Sequence, residues 1–337
     1  MKNLSSFDKI LFLINSLIAC LFLISLFVPL VKPSNFIYVS LLSLFTPILI
    51  VLNILFIFFW VIKIKRYFLL SLIVLLIGND SLRSFINFSK PDESLKENQI
   101  SIISYNVRLF NLYNWLPIEG VTDKVRDFLL SKNSDLISLQ EYQANGFYLS
   151  NYPYKFENLS GKNLKYGQVI FSKHPIIYSS SLNFDNSSNN AIFSDIVVNN
   201  DTIRVYNIHL ESFSFEKYKD LNNINRRNSI SDISKTFIEQ ERQVQILKKS
   251  FVNCPYKIII TGDFNNTAFS FTYRELSKEF NDNFKEKGNG FGITHYYKKI
   301  PLRIDFILSD KDFKVNDFKT FKLGYSDHEP IYSKLEF

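Results

Sequence analysis

The ten residues Tyr256-Lys257-Ile258-Ile259-Ile260-Thr261-Gly262-Asp263-Phe264-Asn265 join a short apolar run to polar residues directly after it. Residues 256–260 predict a strand, and their lack of polar alternation predicts a central strand covered on both faces. Residues two apart in an extended chain point to the same side, so Asp263 and Asn265 should present their side chains together. The same residues also favour turns, so an Asx turn that closes the strand is the alternative interpretation.

The chain on either side of this stretch predicts further strands and a few helices. Strand patterns occupy residues 100–105, 135–140, 167–172, 192–198, 203–210, 303–308 and 331–337. Helical spacing occurs at residues 121–131, 236–250 and 270–278, whereas residues 212–235 are polar and predict a loop. Strands and helices do not alternate regularly and no Gly-x-Gly-x-x-Gly motif occurs, so the order favours an α/β domain of mixed sheets with helices outside them.

The first 89 residues are strongly apolar and predict a membrane anchor. Residues 11–31 and 36–62 carry no charge, and a helix needs about 20 such residues to cross a bilayer. Residues 67–88 predict a third span, in which Asn79, Asp80 and Arg83 would lie at the headgroup level. Residues 90–98 are polar and predict a linker, so residues 99–337 should form a separate domain.

Basic residues predict the orientation of this anchor. Lys63, Lys65 and Arg66 fill the turn after the second apolar run, and such residues are retained on the cytoplasmic side. With the third span the protein is multi-pass, and its catalytic domain is expected outside the cytoplasmic membrane, whereas two spans alone would leave the domain inside.

The bulk charge and the cysteine content exclude some functions. The net charge is +7, but the chain after residue 89 has 32 basic and 30 acidic residues. The domain therefore lacks the strongly basic balance that is typical of duplex nucleic-acid binding. Two cysteines without a Cys-x-x-Cys motif exclude a cysteine-based zinc site.

Several polar side chains follow predicted strands. Asn106 and Glu141 each come after an apolar strand, and amide and carboxylate oxygens suit Mg²⁺. A turn-forming asparagine and a solvated strand end are the alternatives for these two positions. His328 lies beside Asp327, and Asp305 interrupts another apolar strand, so an imidazole and an orienting carboxylate are available; such a histidine stays protonated near neutral pH.

The remaining histidines receive different interpretations. His209 ends the strand at residues 203–210 and could act as a second donor to a phosphate group. His174 precedes a proline and His295 lies in a glycine-rich stretch, and both are interpreted as taking no part.

Six motifs occur in a fixed order along the chain. They are Ser104-Tyr105-Asn106, Leu139-Gln140-Glu141, Asn207-Ile208-His209-Leu210, Gly262-Asp263-Phe264-Asn265, Arg303-Ile304-Asp305 and Ser326-Asp327-His328-Glu329-Pro330. This set resembles the endonuclease/exonuclease/phosphatase superfamily over about residues 100–337. The resemblance implies a four-layer α-β-β-α sandwich of two mixed sheets.

The resemblance also implies a role for each matching residue. Metal binding would fall to Asn106 and Glu141, with Asp327 near the metal, and the metal would be Mg²⁺ or Mn²⁺. The catalytic residues would be Asp263, which orients or activates the water, Asn265 and His209, which contact the phosphate, and His328, which stabilises the transition state while Asp305 holds its imidazole.

These features together predict a membrane-anchored, metal-dependent phosphoesterase of bacterial type that cleaves a phosphodiester or phosphomonoester by attack of water. The substrate stays open among a nucleic acid, a sphingomyelin-like or phosphoinositide head group, and a small phosphate ester. A non-catalytic binding domain on the same fold is the alternative, although none of its acids or histidines is missing. A transporter is disfavoured because no ionisable residue lies mid-span. The bilayer is the other expected partner, and no protein partner is indicated.

Overall fold

The computed structural model describes residues 5–92, 98–161, 164–185, 187–213, 226–297 and 300–337, without the side chains of residues 226–231. The helices are α1 (Ser6–Ser25), α2 (Ile37–Ser40), α3 (Thr46–Ile62), α4 (Phe68–Ile77), α5 (Asn79–Phe85), α6 (Val121–Lys132), α7 (Arg226–Val252), α8 (Phe271–Ser277) and α9 (Asn283–Lys287). The strands are β1 (Asn87–Phe88), β2 (Gln99–Asn106), β3 (Leu136–Tyr142), β4 (Tyr154–Ser160), β5 (Tyr166–Ser172), β6 (Ile176–Ser181), β7 (Asn190–Val198), β8 (Asp201–His209), β9 (Lys257–Asp263), β10 (Phe280–Asp282), β11 (Asn289–Gly290), β12 (His295–Tyr297), β13 (Ile300–Leu302), β14 (Asp305–Asp310), β15 (Lys314–Thr320) and β16 (Ile331–Glu336).

Two six-stranded mixed sheets form the frame of the domain, as the sequence predicts. The strand order is β15-β16-β2-β3-β5-β4 in the first sheet and β10-β14-β9-β8-β7-β6 in the second. The pairs β2–β3 and β8–β9 are parallel, and their neighbours pair antiparallel. Strand β9 is buried along nearly its whole length and lies between β14 and β8. The prediction that its isoleucine-rich run is central is therefore confirmed.

Three apolar clusters hold the layers together, one between the two sheets and one on the outer face of each sheet. Between the sheets, Ile102 of β2 and Ile259 of β9 belong to one cluster. Val125 of α6 packs on the outer face of the first sheet. Val244 of α7 and Leu276 of α8 pack on the outer face of the second sheet. Each helix thus covers a sheet face that would otherwise expose apolar side chains to water.

A buried asparagine fixes the two sheets relative to each other. The Asn207 Oδ1 of the second sheet accepts a hydrogen bond of 2.7 Å from Gln140 Nε2 of the first sheet. Its Nδ2 donates to the Leu139 and Val169 carbonyl oxygens, each at 2.9 Å. Gln168 Nε2 donates to the Asn207 carbonyl oxygen at 2.9 Å. Both side-chain atoms of Asn207 have partners in the other sheet, and buried hydrogen bonds of this kind favour one arrangement of the core.

The N-terminal segment contains one straight helix, Ser6–Leu30, that is long and apolar enough to cross a membrane. The second predicted span is divided into Ile37–Leu44 and Thr46–Ile62, which meet at 53°, and the third into Phe68–Ile77 and Asn79–Phe85, which meet at 84°. Each pair meets the length and composition of a span only when its two parts are counted together. The 53° break directly precedes Pro47, whose ring disfavours a continuing helix.

Polar contacts hold these helices together. Asn15 Nδ2 donates to Ser71 Oγ at 2.6 Å, and Trp60 Nε1 donates to Asn15 Oδ1 at 3.0 Å. Lys63 pairs with Asp8 at 3.1 Å at the end of α3 opposite the domain. In an apolar surrounding, such interhelical hydrogen bonds help fix which helix faces meet.

The helices also pack directly on the domain. Phe269 belongs to the apolar cluster of the N-terminal helices. Thr267 Oγ1 donates to the Ser43 carbonyl oxygen at 3.3 Å, and Glu241 accepts from the amide and hydroxyl of Ser34 at 2.9 and 3.0 Å. The domain thus rests on the end of the helices formed by residues 30–46.

Some predicted bounds differ from the structure. The predicted loop at residues 212–235 lies in part outside the described residues, and from residue 226 it is wrong, since α7 already begins there. The polar composition of residues 226–235 hid the helix, because apolar spacing is the signal that predicts one. Asp263 is the last residue of β9 rather than a residue after it, and β14 begins at Asp305 rather than at 303.

Candidate active site

The register of three neighbouring strands places three candidate residues side by side. Asp305, the first residue of β14, pairs with Asp263, the last residue of β9. Asp263 in turn pairs with His209 at the end of β8. Residues paired across adjacent strands have Cβ atoms about 4.5–5.5 Å apart, so one sheet edge carries the carboxyl, carboxyl and imidazole groups in a row.

A histidine–aspartate pair lies at the centre of this row. His328, in the loop before β16, has its Nδ1 2.9 Å from Asp305 Oδ2 and its Nε2 3.6 Å from Asp263 Oδ2. Burial disfavours a charged imidazole, but the carboxylates of Asp305 and Asp263 outweigh it and raise the pKa of His328 well above its usual value. The ring is therefore an imidazolium near neutral pH, as the sequence predicts.

Asp263 is buried, with 1% exposure, and has polar partners on both oxygens. Its Oδ1 accepts from the Asn265 amide at 2.7 Å, and its Oδ2 accepts from Asn106 Nδ2 at 3.0 Å. Burial raises the pKa of Asp263 to about 6, against the lowering effect of the His328 charge. A carboxyl group with such a pKa can accept a proton near neutral pH.

A distortion in β3 turns Glu141 toward the same place. The β3–β5 register shifts between Leu139 and Tyr142, and Glu141 adopts a φ of 48°. A bulge of this kind re-aims a side chain at the end of a strand. Glu141 Oε1 accepts from Asn106 Nδ2 at 3.1 Å, and burial is the main cause that raises the pKa of Glu141.

Asn106 presents its amide nitrogen, rather than its oxygen, to both Glu141 and Asp263. Its Oδ1 accepts from the Arg108 amide at 3.1 Å. A half-turn of the side-chain amide would exchange the two ends, because the amide carries a donor and an acceptor of similar shape. Asn106 thus holds the two carboxylates together, and its role as a metal ligand stays a prediction.

Asp327 lies on the other side of His328 and is paired with an arginine. Arg108 Nη1 is 2.9 Å from Asp327 Oδ2, and its guanidinium lies 4.6 Å from the Trp115 ring centroid. Residues 108–111 all have positive φ values, between 41° and 62°. Such backbone is costly for non-glycine residues and tends to occur at functional sites. Here it carries Arg108 onto Asp327.

The Asx turn, the alternative interpretation of this stretch, is confirmed at Asn265. Its amide closes an Asx turn on Asp263, and its Nδ2 donates to the Leu210 carbonyl oxygen at 2.9 Å. Its φ of 50° lets the chain turn away from the strand end. The phosphate contact expected of Asn265 stays a prediction.

His209 faces the carboxylates without a close pair. Its Nε2 is 3.7 Å from Asp263 Oδ2 and 3.9 Å from Glu141 Oε1. Burial lowers the pKa of His209, partly offset by Asp263. A polar cavity of about 150 Å³ begins at Glu141 and His209 and is lined by amide and hydroxyl side chains such as Asn158 and Asn190. Among the described residues that line it there is no lysine or arginine.

His295 lies against the site, which its interpretation as a residue that takes no part did not anticipate. Its ring centroid lies 4.5 Å from that of His328, and its Nδ1 donates to the Asp327 carbonyl oxygen at 3.1 Å. Burial, followed by the His328 charge, lowers the pKa of His295 to about 4. The glycines around it gave no periodic signal, and tertiary contacts bring it to the site: β12 pairs with β13, and His295 forms an isolated β-bridge with His328. His174 instead pairs with Asp135 at 3.6 Å, away from the cluster.

The donor set fits a hard divalent cation. Among the histidines and acidic residues that the structure describes, two groups have possible ligand atoms within 4.8 Å of one another, namely Asp263–Asp305–His328 and His295–Asp327–His328. His328 belongs to both, but an imidazolium has no lone pair for a metal. The oxygen atoms of Asn106, Glu141 and Asp327 are the better candidates. The site also holds more acidic than cationic groups, so a divalent cation would offset the excess negative charge. The acidic residues are Glu141, Asp263, Asp305 and Asp327, and the cationic ones are Arg108 and His328.

Comparison with known proteins agrees with this geometry. Residues 103–328 match the family described as "Endonuclease/Exonuclease/phosphatase family", and residues 8–85 match one described as "Domain of unknown function (DUF8431)". No curated protein matches the chain.

Several solved structures share the fold. The endonuclease/exonuclease/phosphatase of Bacteroides vulgatus is 16% identical with a TM-score of 0.54, over 72% of this chain and 100% of that chain. The corresponding protein of Beutenbergia cavernae DSM 12333 is 13% identical with a TM-score of 0.54, over 72% of each chain. D. rerio TDP2, solved in complex with a single strand DNA product, is 17% identical with a TM-score of 0.53, over 72% of this chain and 100% of that chain. At these identities the likeness shows the fold alone.

Proposed function

Because the chain belongs to the endonuclease/exonuclease/phosphatase family, we propose that it is a membrane-anchored, divalent-metal-dependent phosphoesterase. The observation that carries this proposal is the buried arrangement of His328 between Asp305 and Asp263, at 2.9 and 3.6 Å. A packed core has no use for an imidazolium and two acids, whereas phosphoester cleavage needs a proton acceptor and a cationic donor in one place.

The residues divide the chemistry between them. Asp263, with a pKa of about 6, accepts a proton from the attacking water. His328 donates a hydrogen bond to a phosphate oxygen as negative charge develops there, and Asp305 keeps its ring oriented and charged. His209, whose pKa is lowered by burial, contributes a neutral imidazole toward the phosphate, and Asn265 is the second expected phosphate contact.

Asn106, Glu141 and Asp327 would hold the metal, either Mg²⁺ or Mn²⁺. When bound, it would supply a Lewis acid for the phosphate oxygens. Asn106 positions Glu141 and Asp263 through the two hydrogen bonds of its Nδ2. Arg108 limits the motion of the Asp327 carboxylate through their ion pair.

The helix packing supports anchoring with the domain outside the cytoplasm. The basic turn at Lys63, Lys65 and Arg66 follows α3, and the domain contacts the opposite end of α3 near Ser43. Since a basic turn is retained in the cytoplasm, the domain would lie across the bilayer from it. With the N-terminus inside and the domain outside, the number of spans must be odd. A multi-pass anchor therefore has three spans, the first helix and the two bent helix pairs.

Two substrate classes have specific support. D. rerio TDP2 was solved with a single strand DNA product, which favours a nucleic acid. The apolar helices beside the domain favour a lipid phosphodiester, and the amide and hydroxyl side chains that line the cavity beyond Glu141 and His209 suit a group with hydroxyl or amide functions. A soluble phosphate ester is compatible with the same centre.

The full chain in detergent micelles should be assayed on single-stranded DNA, sphingomyelin, phosphoinositides and bis-p-nitrophenyl phosphate, with Mg²⁺ or with EDTA. We expect Mg²⁺-dependent release of product from at least one of them, and its loss in Asp263→Asn. Asp310→Asn, on β14 but at its far end, is the matched control. A folded protein without metal-dependent turnover on the whole panel would favour the non-catalytic binding domain.

A further inference from the structure

A second cavity, of about 260 Å³, lies at the seam between the N-terminal helices and the domain. One wall is formed by Pro47 and Val51 of α3, and the opposite wall includes Ala268, Phe269 and Leu302. An apolar cavity of about 150 Å³ already stays dry and binds a benzene-sized ligand. The seam cavity is larger, so it has room for an apolar chain.

The few polar groups of the wall leave it without net charge. They are Ser84, Thr267 and Arg303. Arg303 Nη1 pairs with Asp282 at 2.9 Å, and its Nε donates to the Ser84 carbonyl oxygen at 3.2 Å. Its Nη2 has no hydrogen-bond partner among the described residues. The cavity therefore suits an uncharged chain, with one buried donor at its polar end for an ester carbonyl.

The cavity opens onto an apolar surface rather than a polar one. Two lining residues, Val51 and Phe291, are 40% and 50% exposed and mark its mouth. Ile300 of β13, which directly precedes the lining residue Pro301, is 48% exposed. Contiguous exposed apolar residues mark an interaction or membrane surface, and here they continue the exposed faces of the helices.

We propose that the seam cavity binds one acyl chain of a membrane lipid, from the leaflet on the domain's side of the bilayer. This rests on the proposed membrane anchoring, and the proposed phosphoester chemistry is not required. Water would be a poor occupant because the wall offers it few partners. The bilayer supplies acyl chains at high concentration directly at the mouth.

The bound acyl chain would also touch strand β13, which directly precedes the segment that leads to Asp305, the partner of His328. Leu302 lines the cavity and pairs with His295, and its carbonyl oxygen accepts from the Thr294 amide at 2.9 Å. Thr294 Oγ1 accepts from the Asp305 amide at 3.1 Å. An occupied cavity therefore supports the backbone that positions Asp305 and His295.

The test uses the full chain in vesicles of phosphatidylcholine that carry a diazirine midway along one acyl chain. After photolysis, mass spectrometry should find label on the peptides around Ala268 and Leu302, although both belong to the domain. Val51→Trp narrows the mouth, and Ile48→Trp is the matched control three residues away on α3, similarly exposed but outside the lining. Ala268→Leu fills the cavity from the opposite wall.

We expect Val51→Trp and Ala268→Leu to lower labelling of the domain peptides about tenfold, which is about 1.4 kcal/mol of binding free energy. Ile48→Trp and Asp263→Asn should label like the wild type, so the result does not depend on turnover. Thermal unfolding identifies any variant that fails to fold. If one of Val51→Trp and Ala268→Leu does not fold, the labelling of the other tests the proposal. Absence of label on the domain, or equal labelling of Val51→Trp and Ile48→Trp, would overturn the proposal.

Discussion

Replacing Asp305 by Asn tests the state of His328 most directly. Asp305 is 3% exposed, and its Oδ2 lies 2.9 Å from His328 Nδ1. Asparagine keeps the size and can still accept a hydrogen bond, so the packing should survive while the charge is lost. The substitution thus separates the electrostatic role of the residue from its steric one.

The expected size of the effect follows from this contact. A hydrogen bond to a charged group contributes about 1.5–3 kcal/mol, and one pKa unit corresponds to about 1.36 kcal/mol. The pKa of His328 should therefore fall by roughly one to two units. Since the pKa is raised in the folded state, the imidazolium persists below that pKa and is lost as the pH rises through it. The alkaline limb of activity should move to lower pH by the same amount.

The same shift has a consequence for stability. The stabilisation from the His328–Asp305 pair is fully present below the unfolded histidine pKa of about 6.5, and it is lost as the pH rises through the raised folded value. In Asp305→Asn the unfolding free energy should depend less on pH across that window.

The assay is kcat/KM against pH for bis-p-nitrophenyl phosphate, with the full chain in detergent at saturating Mg²⁺. Asp310→Asn, on the same strand but away from His328, should keep the wild-type profile. If Asp305→Asn is folded and active with its alkaline limb unmoved, then Asp305 does not hold the proton on His328, and the assignment of the dyad is refuted.

Three further predictions concern the metal, the chemical step and the topology. Glu141→Gln should raise the Mg²⁺ concentration needed for half-maximal activity while the unfolding midpoint stays unchanged; normal activity at limiting Mg²⁺ would remove Glu141 from the ligand set. His328→Ala and Asp263→Ala should each lower kcat by about 10²–10³, and the double variant should lose less than the product because both act in one step; an unaltered kcat in His328→Ala would contradict this role. An alkaline-phosphatase fusion at residue 95 should be active, because this reporter folds only outside the cytoplasm. An inactive fusion, together with an active cytoplasmic reporter at the same position, would place the domain inside.

Local sequence patterns predicted the inner strands of both sheets, because their signal is carried by neighbouring residues, but they missed the four edge strands β4, β6, β10 and β15. The isoleucine run of β9 could only be satisfied by burial on both faces, and its position between β14 and β8 follows. The ordered motifs around Asn106, Glu141, Asp263, Asp305 and His328 were visible in the same way. The start of α7 was missed because residues 226–235 are mostly polar and give little apolar spacing.

The sequence by itself determined the division into an apolar segment and a domain of mixed sheets, as well as the residue types at the strand ends, because these depend on composition and short-range periodicity. Only the tertiary structure decided which side chains meet. Strand register placed Asp263 beside Asp305, the bulge in β3 turned Glu141 inward, and the β12–β13 pairing put His295 against His328. The bends of 53° and 84° in the apolar segment and the cavity beside it also come from packing between distant parts of the chain. Contacts of this kind join residues far apart in sequence, so no local pattern encodes them.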